Sequence, residues 1–337
     1  MGSVRRRQFL IATGSLLAAP FGAAAQRAAK MHRVAFILTT SPVAEMAGTE
    51  PAHPIVRAFV HEMRALGYVE GRNLALERRS AEGRAERYQN IGAELVRLKT
   101  DVIVSAGGGA QIRRVRDATG TVPIVMLGSA EPEKFGLAQS LARPGGSVTG
   151  LLAGVGHEMV GKRLQLLKEA LPRVARVSFL VDKAAWEDPS AESARRVAKA
   201  LDIELLFAEH LPENLEETFA TIKRQNPDAL FASGATSIYA QRDRIVAFAR
   251  MARLPDAYIF AEMAVAGGLM SYGVNAPDLG RRAAHYVDKI LKGAKPGELP
   301  IEQPVKFDFI VNLRTARSLG ITIPNSVLVG ADRVIEW

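Results

Sequence analysis

Short apolar runs alternate with amphipathic segments along most of this 337-residue chain, and this alternation restricts the possible folds more than any other feature. Nearly continuous apolar runs of four to eight residues are typical of parallel strands buried on both faces. A more polar run, at Leu74–Arg78, predicts an edge strand. The eight predicted strands fall into two sets of four: Val34–Leu38, Leu74–Arg78, Val102–Val104 and Ile124–Leu127, then Val177–Val181, Ile203–Phe207, Ala229–Ala232 and Tyr258–Phe260.

The segments between these runs carry apolar residues at the spacing of an α-helix. Examples are Val56–Met63, Tyr88–Leu98, Val160–Leu171 and Ile238–Phe248. Strand–helix alternation builds a doubly wound parallel sheet with right-handed crossovers. The chain is also long for a single hydrophobic core. The sequence therefore predicts an α/β protein with two doubly wound parallel-sheet lobes joined by a hinge.

Two glycine-rich stretches indicate where the chain crosses between the lobes. The first, residues 144–156, contains five glycines, and the second is Gly267–Gly273. We expect the second stretch to return the chain, so that the helix at Leu279–Ile290 packs on the first lobe. The predicted N-terminal lobe comprises residues 32–152 and 275–300, and the predicted C-terminal lobe comprises residues 153–274 and 301–337.

The first 25 residues have the pattern of a twin-arginine export signal. Arg6-Arg7 precedes a short apolar run, Phe9–Phe21, and a small-residue triplet, Ala23–Ala25. The run is shorter than the roughly 20 residues of a membrane span, although an uncleaved anchor is the alternative interpretation. Since the chain has no cysteine, no lipid can be attached at the cleavage site. We therefore expect a soluble, non-lipidated protein of the periplasm.

Motifs for catalysis and cofactors are absent from the sequence. It has no G-x-S-x-G, no Walker A motif, no zinc-binding pair of histidines and no cysteine. Gly107-Gly108-Gly109 fits either an anion-binding turn or simply a tight strand-to-helix turn. Ile112 stands where a dinucleotide fingerprint requires glycine. The sequence therefore predicts no enzyme, no cofactor and no metal.

The net charge of +9 is spread along the chain. Nucleic-acid-binding proteins usually have tight basic runs with interleaved aromatic residues, and such runs are missing here. The densest basic cluster, Arg113, Arg114 and Arg116, is explained by a solvated helix face. We therefore expect no nucleic-acid partner.

Ligands of open α/β sheets bind beyond the carboxyl ends of the strands, where this sequence is rich in hydroxyls and glycine amides. These groups suit the carboxylate of a small zwitterion, while Glu131, Asp182 or Glu262 suits its ammonium. Trp186 would offer a face to an apolar tail. Each residue is alternatively a cap or loop residue without ligand contact. The predicted ligand-binding residues are Thr39, Thr40, Ser41, Gly107, Gly108, Gly109, Ser129, Glu131, Asp182, Trp186, Ser233, Gly234, Thr236 and Glu262.

Five long motifs, in the same order, are similar to those of a known family. They are Gly67–Asn73, Leu141–Gly150, Ala266–Gly273, Tyr286–Pro296 and Asn312–Ile321. From about His32 to the end, the chain resembles the periplasmic ABC-transporter substrate-binding proteins of the tryptophan/tyrosine-binding (TrpX-like) type. That family has the type I periplasmic-binding-protein fold.

The resemblance implies a monomeric two-lobed receptor that closes on a small solute and presents it to an ABC permease in the inner membrane. The solute would be an amino acid, aromatic in some relatives, or a related carboxylate. The family commonly has Asp-Pro after the fourth strand, whereas this chain has Glu131-Pro132, so the carboxylate arm is one methylene longer.

Closure is expected at crossings near Gly150–Gly156, Tyr272–Asn275 and Leu299–Pro304.

Two other functions are alternatives to the transport receptor, because fold alone does not fix function. They are a periplasmic enzyme and a solute sensor that docks on a membrane receptor.

Overall fold

A computed structural model describes residues 30–129, 131–153, 158–188 and 191–336. It shows two lobes, each with one β-sheet and helices on both faces of the sheet. The predicted two-lobed α/β architecture is therefore confirmed. The predicted leader, residues 1–25, lies outside the described residues, and so do residues 154–157 of the first predicted crossing.

The two sheets differ in size. The first is parallel, with strand order β2-β1-β3-β4-β5, and the second has the order β12-β11-β10-β9-β8-β6-β7. In the second sheet β11 runs antiparallel to β10. The strands are β1 His32–Leu38, β2 Leu74–Ser80, β3 Val102–Gly107, β4 Ile124–Gly128, β5 Val148–Leu151, β6 Arg176–Val181, β7 Glu204–Glu209, β8 Ala229–Ala232, β9 Asp256–Tyr258, β10 Met270–Val274, β11 Phe307–Asn312 and β12 Arg333–Ile335.

The helices cover both faces of each sheet. They are α1 Pro54–Ala65, α2 Arg87–Arg97, α3 Gly109–Thr119, α4 Glu158–Ala170, α5 Lys183–Glu187, α6 Ala191–Ala200, α7 Leu215–Gln225, α8 Thr236–Ala240, α9 Arg242–Met251, α10 Ala261–Val265, α11 Ala276–Leu291, α12 Leu313–Leu319 and α13 Asn325–Val329. Two single 3-10 turns lie at Val43–Met46 and Pro296–Glu298.

The first lobe is built from two distant parts of the chain. Phe36 of β1 packs against Phe59 of α1, with their ring centroids 5.1 Å apart. Leu279 and Val287 of α11 are buried in the same cluster. The prediction that this late helix returns to the first lobe is therefore confirmed, as is the position of β2 at the sheet edge.

Three differences from the predicted strands have local causes. Strand β5 was not predicted, because it has only four residues, Val148–Leu151, and Gly150 interrupts its apolar run. The stretch Gly267–Gly273, predicted as a crossing, instead contains the start of β10 inside the second sheet, and the chain crosses only after it. Strand β9 begins with Asp256, a charged residue, so the prediction placed it two residues too late.

Asp256 is an unusual strand residue because its carboxylate is buried in the second lobe, with the residue only 2% exposed. One oxygen accepts a hydrogen bond of 2.7 Å from the Tyr258 hydroxyl. The other accepts a hydrogen bond from the backbone N–H of Leu269. Burial raises the pKa of Asp256 to about 7 against the opposing effect of these hydrogen bonds. This group therefore gains a proton within the neutral to acidic range.

A membrane-spanning helix is not found in the described ranges, where every helix is too short or too polar to cross a bilayer.

Candidate functional site

Three segments of the chain connect the lobes, and hydrogen bonds join them side by side. The Leu152 N–H donates to the Glu302 carbonyl and the Glu302 N–H donates to the Gly150 carbonyl, both over 2.9 Å. The Asn275 N–H donates to the Lys306 carbonyl over 3.0 Å. The segment leading to β11 thus pairs with the crossings after β5 and after β10. Short paired connections of this kind suit a hinge.

Asn275 fixes the start of α11 at the second crossing. Its side-chain oxygen accepts a hydrogen bond of 2.7 Å from the Asp278 N–H, a regular N-cap. Its amide nitrogen donates to the carboxylate of Asp308 on β11, with distances of 2.8 and 3.0 Å to the two oxygens. One side chain therefore links a helix of the first lobe to a strand of the second.

The loops at the carboxyl ends of the two sheets face each other where the lobes meet, a junction that we call the cleft. Arg242 at the start of α9 lies 3.6 Å from Glu45, which follows β1 in the first lobe. Lys134, beyond β4, lies 3.4 Å from Asp188, which follows α5 in the second lobe. These two ion pairs join the lobes directly. The predicted strand-end residues accordingly lie at the edges of the sheets that border this cleft.

In the first lobe, the loop after β1 and the glycine triplet after β3 pack closely. Thr39 is buried, and its hydroxyl donates to the Ala106 carbonyl over 2.9 Å. A Cβ at Gly107 would lie 2.5 Å from the Thr39 hydroxyl oxygen, and a Cβ at Gly109 would lie 2.1 Å from the Phe135 ring. Close packing therefore explains these glycines, as the tight-turn interpretation requires. That their amides bind an anion stays a prediction. Ligand contacts of Thr40, which is half-buried, and of Ser41, which is buried, also stay predictions.

Ser129 has the most distinctive geometry of the predicted site residues. Its φ is 50°, in the left-handed region that non-glycine residues seldom adopt. The residue is 8% exposed, and its hydroxyl oxygen has no hydrogen-bond partner among the described residues. A strained backbone and an unpartnered buried hydroxyl are typical of a ligand-binding position. The sequence indicates this residue but not its conformation.

Glu131 lies at the rim of the cleft. Its side chain is 58% exposed, and one carboxylate oxygen is 3.7 Å from the ammonium group of Lys134. Lys134 is shared with Asp188 of the other lobe. The carboxylate thus takes part in a solvated rim network, and its role toward a ligand ammonium stays a prediction.

In the second lobe, Asp182 forms a cluster with His210 and Ser237 that the sequence did not indicate. His210 is 3% exposed, and its Nδ1 lies 3.5 Å from the Asp182 carboxylate and 3.2 Å from the Ser237 hydroxyl. A catalytic triad requires the serine and the acid on opposite ring nitrogens. Here both face Nδ1, and Nε2 is buried without a partner among the described residues. The arrangement therefore does not fit a nucleophilic serine.

Trp186 lies within the hydrophobic cluster of its own lobe. Its ring stacks on Phe207 with a centroid distance of 5.2 Å and meets the Phe179 ring edge-on at 6.2 Å. The Arg195 guanidinium carbon lies over the indole, 5.0 Å from its centroid. These contacts account for Trp186 as a packing element of its own lobe.

The remaining predicted residues follow β8 and β9. Ser233 and Thr236 are half-buried, and Gly234 is exposed. Glu262, in the first turn of α10, is half-buried, and burial raises its pKa, while the nearby Arg242 lowers it. The structure thus places these side chains along the same edge of the second sheet.

Three further residues that the sequence did not indicate lie at the cleft, two in the second lobe and one in the first. The Arg242 guanidinium carbon lies 4.8 Å from the centroid of the Tyr239 ring. Burial raises the pKa of Tyr239, and an interaction with Ser41 of the other lobe partly offsets this. His53 in the first lobe is 7% exposed, and its pKa falls to about 4 because of burial and because of Arg242. His53 precedes α1, Tyr239 lies within α8 and Arg242 begins α9, so a search limited to strand ends misses all three.

Metal-binding clusters of three or more His, Cys, Asp or Glu side chains are not found in the part of the chain that the structure describes.

Comparisons with known proteins agree with this architecture. The profile of one family, described as ABC transporter substrate binding protein, matches residues 47–335. A tyrosine-binding protein of Clostridioides difficile is 21% identical over 273 residues, which cover 78% of this chain and 75% of that protein.

Two solved structures have a TM-score of 0.78 and are covered completely. A conserved domain protein of Vibrio cholerae is 26% identical, with 90% of this chain covered. An ABC domain in complex with L-Trp from Streptococcus pneumoniae is 21% identical, with 91% of this chain covered.

Proposed function

Because the chain belongs to the family of ABC transporter substrate-binding proteins, we propose that it captures one small solute between its lobes and delivers it to an ABC permease of the inner membrane. The solute class that we propose is an amino acid, with an aromatic amino acid as the first candidate. Support comes from a relative named for tyrosine and from a similar structure that contains L-Trp. The single observation that carries the proposal is the family match, which extends over both lobes and all three crossings.

The binding mechanism that we propose is hinged closure. A solute that touches both lobes binds the closed form more tightly than the open form, and this difference in affinity shifts the population toward the closed form. The ion pairs Arg242–Glu45 and Lys134–Asp188 join the two lobes, so that opening would separate them. They therefore favour the closed form.

Within the cleft, the two ends of a zwitterion need different partners, because a buried charge without a partner is costly. For the carboxylate we propose the Ser129 hydroxyl and the amides at Gly107–Gly109. For the ammonium we propose Glu262, with Asp182 as a further carboxylate on the same lobe. The space between the two ends of the zwitterion would be lined by Thr39, Thr40, Ser41, Ser233, Gly234 and Thr236. Glu131 would lie at the rim of this space.

Isothermal titration calorimetry and small-angle X-ray scattering test the proposal together. We expect L-tryptophan or L-tyrosine to bind with one-to-one stoichiometry and to decrease the radius of gyration. L-Leucine and small organic acids serve as comparison ligands. Binding with an unchanged radius would contradict hinged closure, whereas chemical conversion of a bound compound would contradict the receptor function itself.

For the location of the protein, we propose the periplasm, reached by the twin-arginine route, with the mature protein soluble, monomeric and without lipid. The support is the leader pattern Arg6-Arg7 with Ala23–Ala25 and the absence of cysteine. Replacing both arginines by lysine should leave the chain in the cytoplasmic fraction. Continued export of that variant would contradict the proposed route.

Ligand affinity should fall in acid because of His53. The pKa of His53 falls from an ordinary value of 6.5 to about 4 because of burial and because of the Arg242 guanidinium of the other lobe. Protonated His53 therefore favours the open form, so affinity is highest above pH 6.5 and declines as the pH falls from 6.5 toward 4. We expect an affinity about tenfold weaker at pH 5 than at pH 7.5, measured by calorimetry.

The matched controls for this prediction are two histidine variants. His53→Gln should remove most of the loss in acid, because it removes the titrating ring. His61→Gln should retain the loss, since His61 is 46% exposed and pairs with Glu50 on the surface of the first lobe. Equal pH profiles for all three proteins would contradict a role for His53.

A further inference from the structure

Arg163, on α4, is a buried cation that the sequence did not indicate as functional. The residue is 3% exposed. Its Nη1 donates a hydrogen bond of 3.0 Å to the Ala232 carbonyl, and its Nε donates a weaker one of 3.4 Å to the Met159 carbonyl. Its guanidinium carbon lies 4.7 Å from the centroid of the Phe231 ring. The guanidinium plane is therefore held firmly by one aromatic ring and two carbonyls.

Within the described residues, Arg163 has no carboxylate within 4 Å, unlike the cations Arg242 and Lys134 at the cleft. Arg242 has Glu45, and Lys134 has Asp188 and Glu131. A guanidinium has five N–H donors, and only two nitrogens of Arg163 donate to described acceptors. Burial lowers its pKa only to about 10, so the charge persists at neutral pH. A buried charge in this position is costly unless an anion joins it.

The place of this guanidinium in the fold connects it with the cleft. Ala232 is the last residue of β8, and the predicted site residues Ser233 and Gly234 follow it directly. Met159 lies in the first turn of α4, just after the crossing from β5. Arg163 therefore lies at the carboxyl edge of the second sheet, close to the point where the hinge enters that lobe.

We propose that Arg163 binds the carboxylate of the solute. The ligand would then provide the counter-ion that the described side chains do not provide. The inference rests on the proposed function and assigns the ligand class as carboxylate-bearing. A guanidinium matches a carboxylate with two parallel hydrogen bonds, for which its unused N–H groups are available. The stacking on Phe231 sets the plane of this contact. Arg163 would thus contribute from the second lobe what Ser129 and the glycine amides contribute from the first.

Calorimetry with matched ligand pairs tests this assignment. The probes are L-tryptophan and L-tyrosine, each compared with the amine that lacks the carboxylate, tryptamine and tyramine. Arg163→Met should weaken binding of the amino acids by about 100-fold while changing amine binding by much less. The control Arg195→Met removes a guanidinium that also stacks on an aromatic ring of this lobe, and it should leave both affinities unchanged. A folded Arg163→Met protein that still prefers the amino acids by the wild-type factor would overturn the proposal.

A measurement without ligand separates this role from a purely structural one. If Arg163 is a charge kept for a ligand, Arg163→Met should leave the melting temperature of the ligand-free protein unchanged or raise it. If Arg163 only braces α4 against β8, the same variant should lower the melting temperature clearly, which would contradict the proposal. Wild-type protein that binds none of the four probes would count against the proposed amino-acid function, while the ligand-free melting temperatures would still decide the role of Arg163.

Discussion

The Gly128→Ala variant is expected to lose much of the stability of the first lobe. An added Cβ at this position would lie 1.7 Å from the carbonyl oxygen of Gly107, and the residue has a φ of +150°. Both glycines are paired in the register of β3 and β4, so neither backbone can move without breaking the sheet. Overpacking costs typically about 1–3 kcal/mol, and a clash between two backbones belongs at or above the upper end. We expect the free energy of unfolding to fall by about 3 kcal/mol or more, measured by denaturant titration.

Gly146→Ala is the matched control. Gly146 is exposed, and a Cβ there has no neighbour within 4 Å among the described residues. Its substitution should leave stability within about 0.5 kcal/mol of the wild type. Because Gly128 immediately precedes Ser129, any soluble Gly128→Ala protein should also bind the solute weakly. A Gly128→Ala protein as stable as the control would show that the two strands separate more easily than their register indicates.

The second large effect is a dependence of stability on pH that arises from Asp256. Burial raises its pKa to about 7 in the folded protein, whereas an unperturbed aspartate has an ordinary pKa of 3.8. The folded state therefore binds a proton that the unfolded state lacks between these values. The resulting stabilisation is complete below pH 3.8 and is lost as the pH rises toward 7. Its full size is on the order of 4 kcal/mol, and it should appear as a stability that declines from pH 4 to pH 7.

Asp256→Asn should remove this part of the pH dependence while it keeps a polar group beside Tyr258 and Leu269. Asp256→Ala should also lower stability at all pH values, by about 3 kcal/mol, because two buried donors lose their acceptor. The control is Asp332→Asn, since Asp332 accepts a 2.7 Å hydrogen bond from the Phe309 N–H but is exposed. Thermal melts at several pH values provide the comparison. An unchanged slope in Asp256→Asn would show that Asp256 stays ionised in the folded protein.

The sequence allowed most of the first lobe to be predicted, because its strands are buried on both faces and read as continuous apolar runs. Four strands and their helices follow from periodicity, and the return of α11 follows from the position of the second glycine-rich stretch. The second sheet was harder. Its strands β10 and β11 pair antiparallel, β12 has only three residues, and β9 contains the buried Asp256. A charged residue within a strand and a glycine-rich strand both resemble loops when only apolar periodicity is considered.

A similar distinction applies to the candidate site, where residues at strand ends were predictable from the sequence and residues on helices were not. Positions at strand ends, such as Ser129 and Glu262, follow from topology, because parallel strands bring their carboxyl ends to one edge. Arg163, Arg242 and His53 lie on helices or before them, where a polar residue is ordinarily solvated. Their burial depends on the approach of a second element, which no local pattern encodes. Trp186 is the opposite case, because it lies in the short helix that follows β6 and yet its ring packs within its own lobe.

The docking of α11 on α1 has a consequence for biosynthesis. A ribosome that has produced the whole first sheet, through residue 151, has yet to make the helix that covers Val34 and Phe36 on one face. The second sheet likewise waits for β11 and β12, which end at Ile335. The first half cannot mature before α11, which ends at Leu291, has been made, and the second cannot mature before β12 follows at Ile335. Although the first sheet is made much earlier, the two halves should therefore reach their native states within a short interval of each other.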